Sequence, residues 1–167
     1  MFYINLEHVI ENKVIGRIPL LSKSWQLSMD VLFTSYPSDV RGVLHLTKGC
    51  NDEEVGCRLP AILIDGDDDE LELVVVTNIN DNNYEEKFDI PINVYHHITV
   101  THLPASENAD QYQLKIYLND VLKVKKRDDK PRTYQSIFIN TGSPFYQPAQ
   151  GYIKNFWHMT NRSNETS

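Results

Sequence analysis

Between Gln111 and Lys125 the chain reads QYQLKIYLNDVLKVK. Tyr112, Leu114, Ile116 and Leu118 alternate with Gln111, Gln113, Lys115 and Tyr117, the period-2 pattern of a strand with one buried face. Asn119-Asp120 interrupts the pattern, and Val121 to Lys125 resumes it. Asn and Asp both tolerate left-handed backbone, so the pair predicts a two-residue hairpin turn. A lone hairpin is marginal in water, so its apolar face requires more sheet to cover it.

The rest of the chain supplies that sheet. Trp25, Leu27, Met29, Val31 and Phe33 share one face of an alternating run, which places Trp25 and Leu27 in the core. Pro19 confines the segment from Lys13 to Leu20 to an edge or a bulge. Further runs at 42–47, 59–64, 71–77, 84–90, 94–102, 134–140 and 151–159 are separated by polar turns, among them a turn from Asn78 to Asn83. Nowhere do apolar residues recur at helical spacing over several turns. Roughly ten to twelve short strands of this kind predict an all-β fold, an antiparallel sandwich of the jelly-roll type. One domain is expected over 1–159, followed by a polar, disordered tail over 160–167.

At 167 residues the chain is long enough to bury a sizeable core without staples. Its net charge of −7 argues against nucleic acid or an anionic membrane as a partner through bulk electrostatics. No apolar stretch has the length of a membrane span, and the first residues, MFYINLEHVIENK, lack the pattern of a signal peptide. The chain therefore reads either as cytoplasmic or as a domain of a longer secreted protein.

Four segments resemble framework strands of laminin G-like and pentraxin-like domains. Tyr95-His96-His97-Ile98-Thr99-Val100 is similar to their Trp-His-His-Ile-x-Val strand, and Tyr112 to Val121 to the strand ending in Tyr-Val-Asn-Gly. Gly151 to Phe156 resembles the closing Gly-x-Ile-x-x-Phe strand, and Trp25 to Val31 an early framework strand. Tyr95 replaces the usual Trp and Asp120 the usual Gly. The resemblance implies a concanavalin A-like jelly roll and a lectin-like recognition or adhesion role. The sugar-binding motifs of galectins and the paired-carboxylate motif of the glucanase branch have no match here.

The acidic turn Asp65-Gly66-Asp67-Asp68-Asp69-Glu70 is the sharpest local feature. Calcium takes several oxygen ligands from flexible loops, so Asp65, Asp67, Asp68 and Asp69 are the candidate metal ligands. The resemblance adds that laminin G-like domains often bind calcium at a loop rim. The plain alternative is a solvated turn whose charge keeps sheet edges apart. Glu70 and Glu72 share a strand face at a spacing of roughly 7 Å, within the range of a glycosidase carboxylate pair, but no third residue completes a motif. No catalytic residue is assigned.

Cys50 and Cys57, the only cysteines, bracket CNDEEVGC and fit a local disulfide in an oxidising compartment; two reduced thiols are the alternative. Asn161 and Asn164 stand in N-glycosylation triplets, which with the cysteines favours an extracellular or cell-surface setting. His96 and His97 point to opposite faces of one strand and cannot chelate together. Sugars stack on aromatic faces and bond to amides and carboxylates, so Asn80, Asn82, Tyr84 and Tyr146 in the polar loops are the candidate ligand contacts. The expected function is non-enzymatic recognition of a glycan or an extracellular protein. A structural or adhesion module without a small ligand is the alternative, and a glycoside hydrolase or lyase stands behind both.

Overall fold

Alternating segments pair only through their backbone ladders, so the register decides which side chains meet. The computed structural model describes residues 1–5, 7–106 and 110–161. Its strands, in chain order, are β1 (Phe2–Ile4), β2 (His8–Val9), β3 (Lys13–Leu21), β4 (Trp25–Phe33), β5 (Arg41–Thr47), β6 (Ala61–Asp67) and β7 (Glu70–Ile79). There follow β8 (Asn82–Asp89), β9 (Tyr95–Pro104), β10 (Tyr112–Leu118), β11 (Val121–Asp128), β12 (Tyr134–Thr141) and β13 (Gly151–Thr160). Among the described residues there is no helix.

The strands form two antiparallel sheets. A seven-stranded sheet runs β1-β13-β4-β9-β10-β11, with β2 also pairing to β13. A six-stranded sheet runs β3-β12-β5-β6-β7-β8. The fold is a jelly-roll β-sandwich. Pro19 lies on β3, which is an edge strand as its missing donor demands.

The inner faces carry the expected alternation. Trp25 is 5% exposed, and Leu27, Met29, Val31 and Phe33 are fully buried in one cluster with Leu44, Leu73, Ile98 and Phe156. Trp25 stacks on His102 at 5.9 Å, and His102 stacks on Tyr112 at 5.3 Å. Gly151 opens β13 where a Cβ would sit 2.0 Å from the Leu32 carbonyl oxygen, so the strand can reach β4 only without a side chain there.

Two turns share one chemistry. Asn119 and Asp120 have φ of 51° and 65°, as a two-residue primed turn between β10 and β11 requires. Asn80 and Asp81, at 52° and 62°, make the same turn between β7 and β8. The turn expected over 78–83 is therefore only two residues long, and the ladder continues through Asn78↔Asn83 and Ile79↔Asn82. Thr160, expected in the tail, is the last residue of β13, and its hydroxyl accepts from the Ser22 amide at 2.9 Å.

Candidate functional site

The outer face of the seven-stranded sheet is where polar and aromatic side chains gather. Register aligns Tyr3, Trp157, Ser28, Thr99, Tyr117 and Leu122 in one row across six strands. Beside it run Lys154, Asp30 and His97 on one side and Gln26, Thr101, Lys115 and Lys125 on the other. Directly opposite residues bring their Cβ atoms within about 5 Å, so each row is a continuous strip of side chains.

Alternation alone would not place Lys154 and Trp157 on one face, because they lie an odd number of positions apart, with two residues between them. The ladder between β13 and β4 slips between these two residues, and Asn155 takes a φ of 52°. This bulge turns Lys154, Asn155 and Trp157 outward while Ile153 and Phe156 stay in the core.

A hydrogen-bond network fills the centre of the face. Asp30 accepts from His97 Nδ1 at 2.6 Å and from Asn155 Nδ2 at 2.7 Å. On its other side, His97 Nε2 lies 3.1 Å from Ser28 Oγ and 3.3 Å from Thr99 Oγ1. The hydroxyls of Ser28 and Thr99 also meet at 3.1 Å. Burial alone would raise the Asp30 carboxyl, but the Asn155 amide, His97 and Lys154 outweigh it and hold it below the ordinary carboxylate value. Lys154 lies over the Tyr95 ring at 3.7 Å, and the Tyr95 hydroxyl donates to Glu7.

Ser28, His97 and Asp30 have the distances of a nucleophile–base–acid relay. The surroundings do not fit acyl transfer. Ser28 is 2% exposed and lies mid-strand in β4, which has partner strands on both sides. Amides there serve the ladders and are not free to stabilise an oxyanion. What the network does is fix His97, whose side chain is 38% exposed, in one orientation.

The residues singled out in the sequence lie elsewhere. Asn82 and Tyr84 belong to β8 rather than to a loop. Asn80 bonds the Arg127 carbonyl and the Asp129 amide, and Asn82 bonds the Asn80 carbonyl. Tyr84 packs against the core with its hydroxyl on Glu86 and Lys126 above its ring; burial first, and Glu86 second, push that hydroxyl's pKa above the ordinary phenol value. Tyr146 covers Ala61, Leu63, Val74 and Val76 on the outer face of the six-stranded sheet, and its hydroxyl accepts from Asn51 at 3.2 Å. All four are thus engaged within the protein, and Tyr146 sits on a different surface from Tyr84.

The four aspartates are also divided. Asp65 faces Glu72 across the β6–β7 ladder, and Lys87 bridges both at 3.4 and 3.1 Å. Asp68 and Asp69 occupy the exposed turn, with Asp67 exposed at the end of β6. Among the described residues the one group of three potential metal ligands within 4.8 Å is Cys50, Asp52 and Cys57. Those two sulfurs are joined in a disulfide, so they are not thiolate ligands. The disulfide closes the loop between β5 and β6, whose Gly56 amide donates to Asn78 at 2.9 Å. Asn161 is exposed just beyond β13, and Asn164 lies outside the described residues.

No family model matches the sequence, and no curated protein matches it. Solved structures do match in fold. An alginate lyase from Pseudomonas aeruginosa superposes with a TM-score of 0.55 at 12% identity, over 83% of this chain and 65% of that one. The botulinum neurotoxin type G receptor binding domain gives 0.56 at 14% identity, over 98% and 41%. The CBM40 of a Ruminococcus gnavus sialidase gives 0.51 at 13%, over 96% and 94%. The chain thus spans about two thirds or less of the first two, and identities this low speak for the jelly roll alone.

Proposed function

We propose that this chain is a non-enzymatic, lectin-like recognition domain of the laminin G-like kind that binds a glycan on the outer face of its seven-stranded sheet. One observation carries the reading: the row Tyr3–Trp157–Ser28–Thr99–Tyr117 has aromatic side chains at its flanks, and at its centre Thr99 and the neighbouring His97 are the accessible polar groups above the buried Ser28. Pyranose rings offer apolar C–H faces that stack on aromatic side chains, and hydroxyls that exchange hydrogen bonds with Ser, Thr and His. The row provides both along one line. Asp30 and Asn155 orient His97 before any ligand arrives, which lowers the ordering cost of binding.

Binding modules and lyases both occur on this fold, so fold alone does not choose between them. The buried position of Ser28 disfavours its acting as a nucleophile. The Cys50–Cys57 disulfide favours an extracellular or cell-surface setting. Calcium is not required by this reading.

A glycan array followed by calorimetry tests it. Trp157→Ala and Tyr117→Ala should each weaken binding to the array hits by about tenfold or more, as loss of a central aromatic contact does. Asp68→Asn, in the turn between β6 and β7, should leave affinity unchanged. Wild-type affinity in both aromatic variants would refute this placement of the site.

A further inference from the structure

One corner of the same face runs against the charge of the whole protein. The chain has 16 basic and 23 acidic side chains. On the outer face of the seven-stranded sheet, Lys154, Lys115, Lys125 and Arg127 stand in the cross-strand rows, and Asp30 is the one carboxylate among them. That carboxylate is already held by His97 and Asn155. Glu7, Asp120 and Asp129 stay at the rim, where they meet Tyr95, His97 and Arg127.

Lys115 and Lys125 are register partners on neighbouring strands. Like charges directly opposite one another destabilise a sheet, so such a pair is a local cost that a bound anion relieves. Among the described residues neither lysine has a carboxylate within 4.0 Å. Gln113, opposite Arg127, adds an amide to the same corner. This cationic corner adjoins Tyr117, two residues from Lys115 on the outward side of β10.

We infer that the glycan is anionic, a chain bearing carboxylate or sulfate groups, with Lys115 and Lys125 clamping one charged group beside the ring stacked on Tyr117. This inference rests on the glycan-binding reading above and narrows its ligand class. Lysine is suited to the task as a compact, mobile point charge that meets either anion without fixed geometry. The clamp gives selectivity for charge and little for the rest of the sugar, because exposed ion pairs are individually weak and screened by salt.

Two matched pairs of polymers test the inference and separate its two anion sources. Dextran sulfate is compared with dextran, and polygalacturonate with its methyl ester, by calorimetry at low and physiological salt. The anionic member of at least one pair should bind tighter than its neutral partner, and salt should weaken it. The pair that responds identifies sulfate or carboxylate as the group bound. Lys115→Gln with Lys125→Gln should reduce that affinity roughly tenfold, two exposed ion pairs' worth. Lys115→Arg with Lys125→Arg should retain it, and Lys13→Gln with Lys48→Gln, equal in charge change but on other surfaces, should leave it intact. Melting curves confirm that each variant folds.

Equal binding of charged and neutral polymers, or equal losses in the two glutamine variants, would overturn the inference and leave the glycan reading standing. Failure to bind any glycan, neutral or anionic, on the array as well as in solution, would overturn the glycan reading and the inference with it.

Discussion

Lowering the pH from 7.5 to 5 should destabilise the fold by about 4 kcal/mol, through two histidines that the core keeps neutral. His45 is fully buried and His158 is 2% exposed. Burial first, with Arg58 nearby and against the bond to the Cys57 carbonyl, pushes His45 from 6.5 down to about 4. Burial, aided by the amino terminus, does the same for His158. In the unfolded chain both take up a proton as pH falls through 6.5; in the folded chain neither does until about 4. Stability is therefore whole above 6.5 and is lost progressively between 6.5 and about 4. At pH 5 the linkage amounts to about 2 kcal/mol for each histidine. Urea unfolding followed by tryptophan fluorescence at pH 7.5, 6 and 5 measures it. His158→Leu should remove about half of the fall. It should cost little at pH 7.5, because Nε2 of His158 has no hydrogen-bond partner to lose. A fall below about 1 kcal/mol between pH 7.5 and 5, or the same fall in His158→Leu, would refute the claim that these rings are buried neutral.

Trp25→Ala should cost about 3–5 kcal/mol in the same assay at neutral pH, since it empties a stack against His102 within the core; a loss below about 1 kcal/mol would mean the ring is not packed there. Intact mass should rise by two hydrogens on reduction, because Cys50 and Cys57 are bonded; an unchanged mass would mean that the thiols are already free. Millimolar calcium should barely move the melting temperature of the wild type and should raise it in Lys87→Met, where Asp65 and Glu72 lose the cation that bridges them. A large rise in the wild type would instead restore the acidic turn as a calcium site.

The fold was legible because side-chain period and turn chemistry are local properties. Alternation around Trp25 and around Tyr112 marked the inward faces, and Asn119-Asp120 marked a primed turn; the structure has all three. The close cysteine pair was legible for the same reason. The site was not, because it exists only across strands. Asp30, His97 and Asn155 come from three separate strands and meet through register, which no single segment encodes. The bulge at Asn155 hid Trp157 further, since strict alternation puts it opposite Lys154. Tyr84 and Tyr146 drew notice as aromatic residues near turns, yet both pack within the protein. The fold likewise divides the acidic turn: Asp65 lies on a ladder beside Lys87, while Asp67, Asp68 and Asp69 are exposed at the tip.

A nitrogen–proton NMR titration with acidic and neutral oligosaccharides tests the central claim most directly, because it reports position as well as binding. The account predicts that shifts concentrate on the Trp157 indole, Ser28, Thr99 and Tyr117, with His97 following, while Asn80, Asn82 and Tyr146 stay still. Shifts concentrated instead at the β7–β8 turn or around Tyr146, with the seven-stranded sheet silent, would contradict it.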